Sequence, residues 1–457
     1  MASLRRALVA VLAIAIGGAA AAAGAEATLV RGPYLQRAAP TAAIVRWRTS
    51  EPTDTLLFWG PAGGALDQLH FDPVQTSEHR IELSGLQPET RYGYLAGSSS
   101  GWLAGNDSGH TFATAPAPGA ARPARFWAIG DSGVATAHQA AVRDAYLADA
   151  AGAATDVWLM LGDNAYDTGA DAEYTSRLFA PYTEVLRDTC LWPTYGNHDA
   201  MSSDAATLSG PYFEAFSLPR WGQAGGLASG TEAFYAFEWG AAHFVVLDAA
   251  ESSLAPASPM LAWLAGDLAA NARPWTIVAV HHPPYTKGSH DSDDAGDSGG
   301  RMGAVRANVL PILEAHGVDL VLSGHSHSYE RSFLLDGHYG ESATLDPQTM
   351  VLDGGDGDPA GDGAYVKAAG ADGGTVYAVV GSSARLDVGP LDHPAMAVAL
   401  GVYGSLVLEL DGDRLTGRFL DDSGVELDRF VLVEPGVPLF WDDFELGSLA
   451  RWPIAGT

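Results

Sequence analysis

The chain has 457 residues, a length that suggests two or three domains, and its 47% hydrophobic and 9% aromatic content can build sizeable cores, which argues against global disorder. Aspartate and glutamate outnumber lysine and arginine 55 to 25, a formal charge of −30, so the field of the chain repels nucleic acid and anionic membrane surfaces. It also repels anionic small molecules unless bound cations offset it locally, which points to metal at any anion-handling site.

Residues 1–25 read as an export signal. Arg5 and Arg6 precede an Ala/Leu/Val/Ile-rich run that ends at Ala23-Gly24-Ala25, a small-residue cleavage pattern. An uncleaved membrane anchor is the competing reading, and the Ala/Gly content of the run favours cleavage. The single cysteine, Cys190, excludes an intrachain disulfide framework and reads as a small core residue.

Residues 26–117 read as a separate β domain. "AAIVRWRT" and "DTLLFWG" cluster or alternate apolar residues between turn signals, with Trp47 expected in the core. "LQPETRYGY" then leads into a strand with Tyr92 and Tyr94 at the corner, an arrangement that resembles a fibronectin type III-like sandwich. The Pro/Ala/Gly stretch 113–124 reads as a linker. From residue 122 to 434, short apolar runs alternate with helix-like stretches, which predicts an α/β domain with layered sheets flanked by helices. "ATAHQAAVRDAYLADA" and "SPMLAWLAGDLAANA" are the clearest helices, the second with Ser258 as N-cap before Pro259. The Gly/Asp-rich stretches 287–303 and 352–363 read as solvated loops, the second lacking the ordered spacing of a calcium loop. Residues 405–433 read as strands joined by Asp-Gly turns. The tail 435–457 carries no assignable role.

Five apolar runs in the second domain are each followed at once by metal-capable side chains. "ARFWAI" precedes Asp131 in "GDSG". "DVWLML" precedes Asp163 and Tyr166 in "GDNAY". "CLWPTY" precedes Asn197 and His198 in "GNHD". "WTIVAV" precedes His281 and His282 in "HHPPY". "VDLVLS" precedes His325 and His327 in "GHSHS". Strand carboxyl ends in an α/β sheet line one crevice, so five separated segments can converge there. Carboxylate, amide oxygen and neutral imidazole together suit zinc, manganese or iron rather than calcium, and one carboxylate can hold two cations ~3.5–4 Å apart. Singly, an Asp after Gly is usually a turn residue and a loop His is usually solvated; the ordered set is what carries the reading. His110, His138, His243, His316 and His338 read as structural or solvated.

In that order the motifs Asp-x-Gly, Gly-Asp-x-x-Tyr, Gly-Asn-His-Asp, Val-x-x-His and Gly-His-x-His resemble those of calcineurin-like metallophosphoesterases. The tyrosine in the second motif and the ending "GHSHSYERS" narrow the resemblance to the purple acid phosphatases, whose larger members also place a β-sandwich before the catalytic domain. The resemblance implies a binuclear centre. Asp131, Tyr166 and His327 would hold ferric iron, Asp163 would bridge, and Asn197, His281 and His325 would hold a divalent ion (iron, zinc or manganese). His282 could replace His281 by a shift of one. His198 would protonate the leaving group, and His290 would contact substrate. Ser326 would be a spacer, and Tyr329, Glu330 and Arg331 would support the turn.

The implied reaction is hydrolysis of phosphate monoesters of small molecules by a secreted or periplasmic enzyme, with neither nucleic acid nor membrane as partner. A phosphodiesterase or nucleotide hydrolase on the same centre is the alternative, and a secreted binding protein with an inactive site is the alternative of another class. The natural substrate, the pH optimum, the second metal and the oligomeric state are not written in the sequence.

Overall fold

A computed structural model describes residues 27–368 and 370–434. The expected export signal at 1–25 and the tail at 435–457 lie outside the described residues.

Six antiparallel strands come first: β1 (Leu29–Ala39), β2 (Ala42–Pro61), β3 (Gln68–Ser84), β4 (Arg91–Ser98), β5 (Gly101–Gly105) and β6 (Thr111–Ala113). The long β2 organises them, pairing with β1 through its first half, with β3 along most of its length and with β4 through Leu56–Pro61. Trp47 is fully buried and stacks on His79 across the β2–β3 ladder at 4.8 Å, the packing role expected of it. The two tyrosines of the corner divide their work. The Tyr92 hydroxyl accepts the Gln87 N–H at 2.9 Å, closing the corner as such tyrosines do. The Tyr94 hydroxyl instead donates to the carbonyl of Arg187 at 2.7 Å, tethering these strands to the segment just before Cys190. Arg31 and Arg48 both grip Asp171, just beyond Tyr166 in sequence, and Tyr34 and Arg46 donate to the carbonyl of Ala215.

Sixteen further strands lie beyond them among the described residues: β7 (Ala124–Ile129), β8 (Val157–Met160), β9 (Leu191–Pro193), β10 (Tyr235–Trp239), β11 (Ala242–Leu247), β12 (Trp275–Val280), β13 (Leu320–Ser323), β14 (Tyr329–Ser332), β15 (Leu334–Leu335), β16 (Val351–Asp353), β17 (Tyr365–Val366), β18 (Val376–Val380), β19 (Met396–Leu400), β20 (Gly404–Asp411), β21 (Arg414–Asp421) and β22 (Glu426–Val433). Apart from the small β15–β16 pair they form two mixed seven-stranded sheets, ordered β17-β22-β21-β20-β7-β8-β9 and β10-β11-β12-β13-β18-β14-β19. β7, β8 and β9 run parallel in the first, and β11, β12, β13 and β18 run parallel in the second. Strands buried on both faces need continuous apolar runs, which is what "VWLM", "WTIVAV" and "LVLS" supply. Aromatic side chains fill the space between the sheets: Phe126 meets Phe244 edge-on at 5.1 Å, Trp192 stacks on Phe237 at 3.7 Å and Tyr329 on Phe419 at 3.9 Å.

Both expected helices form, over Ala137–Ala150 and Pro259–Ala270. The first is capped by Thr136, whose hydroxyl accepts the Gln139 N–H, and it seats Tyr146 flat on Trp127 at 4.3 Å. Ser258 occupies the N-cap position of the second, yet its hydroxyl donates to the carbonyl of Ser253 at 2.7 Å instead of accepting from the helix. Cys190 is buried with its thiol pushed up to about 12 by burial, in keeping with a core residue. In the 352–363 loop Asp362 accepts the Asp356 N–H, so its carboxylates close the loop on itself. No helix among the described residues is long and apolar enough to cross a membrane.

Candidate metal centre

The parallel strands of both sheets end at one edge, and the motif residues begin where the strands stop. Asp131 follows β7, Asp163 follows β8, Asn197 and His198 follow β9, His281 follows β12, and His325 and His327 follow β13. Three segments thus come from one sheet and two from the other, where the sequence alone suggested a single crevice. The chain must turn sharply to aim these side chains inward. Asp131, Asp163 and His325 have φ of 55°, 51° and 68°, a left-handed conformation that costs energy for residues with a Cβ. Close packing then selects their glycine neighbours. A Cβ on Gly162 would lie 2.3 Å from His281 Nδ1, and one on Gly196 would lie 2.2 Å from the Asp163 nitrogen.

Two donor clusters meet on Asp163. In the first, the Tyr166 hydroxyl donates to Asp131 Oδ1 at 2.8 Å and lies 3.4 Å from His327 Nε2, which is 3.7 Å from Asp131 Oδ1. In the second, Asn197 Oδ1 faces His281 Nε2 at 2.9 Å and His325 Nδ1 at 3.0 Å. Asp163 Oδ1 lies 3.5 Å from His281 Nε2. Asp131, Asp163 and His281, all buried, offer ligand atoms within 4.8 Å of one another.

The hydrogen bonds on the far sides of the rings fix which nitrogens are free. His281 Nδ1 lies 2.8 Å from the carbonyl oxygen of Leu161, and a carbonyl only accepts, so Nδ1 carries the proton and Nε2 presents a lone pair. His327 Nδ1 is held the same way by the Asp387 carboxylate at 2.8 Å. Burial depresses the basicity of His281, His325 and His327, keeping them in the neutral form that binds metal. Burial, and then the charge of Asp163, pushes the Asp131 carboxyl well above its ordinary range; burial, Asp131 and Asp163 do the same to the Tyr166 phenol. Lone pairs of His281 Nε2 and Asn197 Oδ1 converge at 2.9 Å with no proton to lie between them, a repulsion that a cation would relieve. The donor set therefore fits metal: convergent acceptors and two buried carboxylates call for positive charge between them.

The remaining expected residues surround these clusters. The His198 backbone N–H donates to Asp163 Oδ1 at 2.8 Å; its Nδ1 lies 2.6 Å from the Asp167 carbonyl oxygen and its Nε2 3.8 Å from Asp163 Oδ2. His290 stacks on His325 at 4.0 Å. His281, not His282, meets Asn197; the His282 ring lies 4.4 Å from that of His325, and its Nδ1 has no partner among the described residues. Ser326 is more than a spacer: its hydroxyl is hydrogen-bonded to that of Thr286 at 2.7 Å. Glu330 accepts from Ser328 and the Lys287 N–H, while Tyr329 and Arg331 both donate to Asp428. Outside the centre, His243 pairs with Asp267, His110 with Asp107 and His138 with Asp422, His316 Nδ1 meets the Ile312 carbonyl, and His338 is buried.

Two features differ from expectation. The stretch 287–303 is not a simple solvated loop: Ser289 accepts the His327 N–H at 2.9 Å and Ser298 touches His325, so two of its serines reach the centre. Sequence reasoning also missed Arg385 and Asp387. The Arg385 guanidinium lies 4.6 Å from the centroid of the Tyr166 ring, and Asp387 holds His327. The signal was present, because "VYAVV" (β18) is a sixth apolar run followed at once by "GSSARLD".

Residues 124–329 match the calcineurin-like phosphoesterase family. Purple acid phosphatase 23 of Arabidopsis thaliana is 28% identical over 276 residues, covering 55% of this chain and 57% of that protein. Purple acid phosphatase 1 of Ipomoea batatas is 30% identical over 285 residues, covering 59% and 55%. The chain thus spans about half the length of the curated relatives it matches. The fold is similar to that of purple acid phosphatase PPD1 from yellow lupin (Lupinus luteus), with TM-score 0.66 and 18% identity over 88% of this chain and 75% of that one. It is also similar to PhoD, with TM-score 0.59 and 14% identity over 90% of each chain.

Proposed function

We infer that this chain, which carries a calcineurin-like metallophosphoesterase domain at residues 124–329, is a secreted hydrolase of phosphate monoesters working at a pair of metal ions. The observation that carries the reading is the meeting of two clusters on one buried carboxylate. Asp131, Tyr166 and His327 contact one another, Asn197 contacts His281 and His325, and the ligand atoms of Asp163 lie within 4.8 Å of those of Asp131 and His281. In this reading the first cluster would hold ferric iron, the second would hold divalent iron, zinc or manganese, and Asp163 would serve both. Similarity to purple acid phosphatases supports phosphatase chemistry, and the export-signal pattern at 1–25 supports secretion.

Bound there, the ions would supply hydroxide near neutral pH and offset charge on the phosphate oxygens. The chain's own residues do the rest. Asp131 and Asp163 give the centre its negative charge, and the Leu161 carbonyl and Asp387 hold His281 and His327 in the ligating tautomer. His198, its Nδ1–H fixed by the Asp167 carbonyl, presents Nε2 as the proton donor to the departing alkoxide. Arg385, over the Tyr166 ring, adds a cation to an otherwise acidic chain at the place where phosphate must approach.

The test is metal content and nitrophenyl phosphate hydrolysis on one sample purified without chelator. About two ions per chain, iron included, with turnover faster on the monoester than on bis-nitrophenyl phosphate, is the expected result. Faster turnover of the diester would move the assignment to a phosphodiesterase. No metal, and no activity after iron, zinc or manganese is added, would leave a binding protein.

Tyr166 gives a separate check. Its phenol is pushed up by burial, Asp131 and Asp163, so at neutral pH it loses its proton only to a bound cation. The iron-loaded protein should show a visible band from a phenolate on iron, absent from the Tyr166→Phe variant. An unchanged band in that variant would remove Tyr166 from the ligand set.

A further inference from the structure

His290, Asp297 and His325 lie close enough to one another to hold an ion, their ligand atoms within 4.8 Å. The hydrogen atoms give that cluster a different use. Asp297 accepts three times: from Ser298 Oγ at 2.7 Å and His290 Nδ1 at 2.8 Å on Oδ1, and from the Asp291 N–H at 2.9 Å on Oδ2. A serine hydroxyl has one hydrogen, and here it is given to Asp297. Ser298 Oγ therefore faces His325 Nε2, 2.6 Å away, as an acceptor, and Nε2 carries the proton. That leaves Nδ1 of His325 with the lone pair, and Nδ1 is the atom that faces Asn197 Oδ1. The order is directional, from His325 Nε2–H to Ser298 Oγ–H to Asp297, with His290 Nδ1–H arriving from the other side.

The backbone is bent to achieve it. Ser298, Gly299 and Gly300 have φ of 51°, 62° and 75°, three successive left-handed residues, and only the first bears a side chain. A side chain kept in that conformation points to a constraint from its surroundings. Removing the hydroxyl by Ser298→Gly leaves a residue that adopts these angles freely.

We propose that Ser298 and Asp297 are positioning residues that join a metal ligand to a substrate-facing histidine: Ser298 locks His325 in the tautomer that ligates through Nδ1, and Asp297 holds His290 against the His325 ring. The proposal rests on the metal-centre reading above. It means that the Asp-rich segment after His281 sets affinity for the second ion as well as the path of the substrate.

Two variants of the full chain test it. Ser298→Gly relaxes the backbone and Ser298→Ala keeps the Cβ, and both lack the hydroxyl. Each, loaded with iron and zinc, should release its second ion at a chelator concentration ~10–100-fold lower than the wild type, the usual cost of losing an outer partner of a ligating histidine. The visible band from Tyr166 should stay in place, because the first cluster is untouched. In the metal-free proteins, nitrogen spectra of labelled histidines should show His325 as a single Nε2–H tautomer in the wild type and as a mixture in both variants. Wild-type chelator resistance and an unchanged tautomer in both variants would overturn the relay while leaving the binuclear centre standing. A wild type that takes up no second ion would overturn the centre and the relay together.

Discussion

Asp163→Asn should cost nearly all phosphatase activity and at least one bound ion, while making the metal-free chain more stable. Losing an outer partner of a ligand costs ~10–100-fold, so losing a carboxylate shared by both ions should cost more than ~100-fold. Asparagine preserves the shape and still accepts the His198 N–H, now 2.8 Å from Oδ1, so the turn after β8 should survive. What disappears is the carboxylate charge that acts on Asp131. Burial and then Asp163 push the Asp131 carboxyl up, which means the folded metal-free chain keeps a proton on Asp131 that the unfolded chain has lost. This contribution is fully present below the ordinary carboxylate range, about 3.9, and is lost as pH rises through the raised value. The metal-free wild type should therefore lose stability as pH climbs above ~4, and Asp163→Asn should lose less, so that its melting temperature without metal exceeds that of the wild type at neutral pH. With metal the order reverses, because the wild type alone gains the binding energy of two ions. Melting curves with and without metal, beside ion counts, check both halves. A variant that keeps both ions and its turnover would remove Asp163 from the shared position.

The segments that line this site could be read from sequence, while much around them could not. Each ligand segment begins where a short apolar strand ends, so the motif and its setting are local and adjacent. "DVWLML" followed by Gly162, Asp163 and Tyr166 is legible without knowing any neighbour. Which sheet a strand joins is not local. The runs before Asp163 and His325 look alike, yet β8 lies in one sheet and β13 in the other, a choice made by pairing partners far away in the chain. Tyr94 shows the same limit: its place at a corner was readable, its bond to the Arg187 carbonyl was not.

The supporting residues fail for another reason. Asp387, Ser298 and Asp297 are small polar residues in Gly/Asp/Ser-rich segments, where composition predicts solvation. Their importance comes from single hydrogen bonds to ring nitrogens, and no periodicity or spacing encodes those. The overall charge of −30 is similarly uninformative about the place that matters, where Arg385 lies over Tyr166 beside buried carboxylates.

His198→Ala should lower the hydrolysis of alkyl phosphates by ~10²–10⁴-fold and that of nitrophenyl phosphate far less. The geometry separates this residue's two contributions. Its backbone N–H supports Asp163, and alanine keeps that bond. Its ring is the only part removed, and the ring touches the centre at a distance too long for ligation, Nε2 lying 3.8 Å from Asp163 Oδ2. The variant should therefore keep the wild-type ion count. The Asp167 carbonyl holds the Nδ1 proton, so a proton given to substrate must come from Nε2, and the ring must carry both to act as an acid. An alkoxide leaves poorly without that proton, whereas a nitrophenolate leaves as the anion, so the loss must scale with the basicity of the leaving group. Measuring kcat/KM over a series of esters, with metal content on each preparation, gives the slope. A steeper dependence in the variant than in the wild type identifies proton donation by His198. Equal losses across the series at full metal content would assign the ring to binding the phosphate instead, and the source of the leaving-group proton would have to be water.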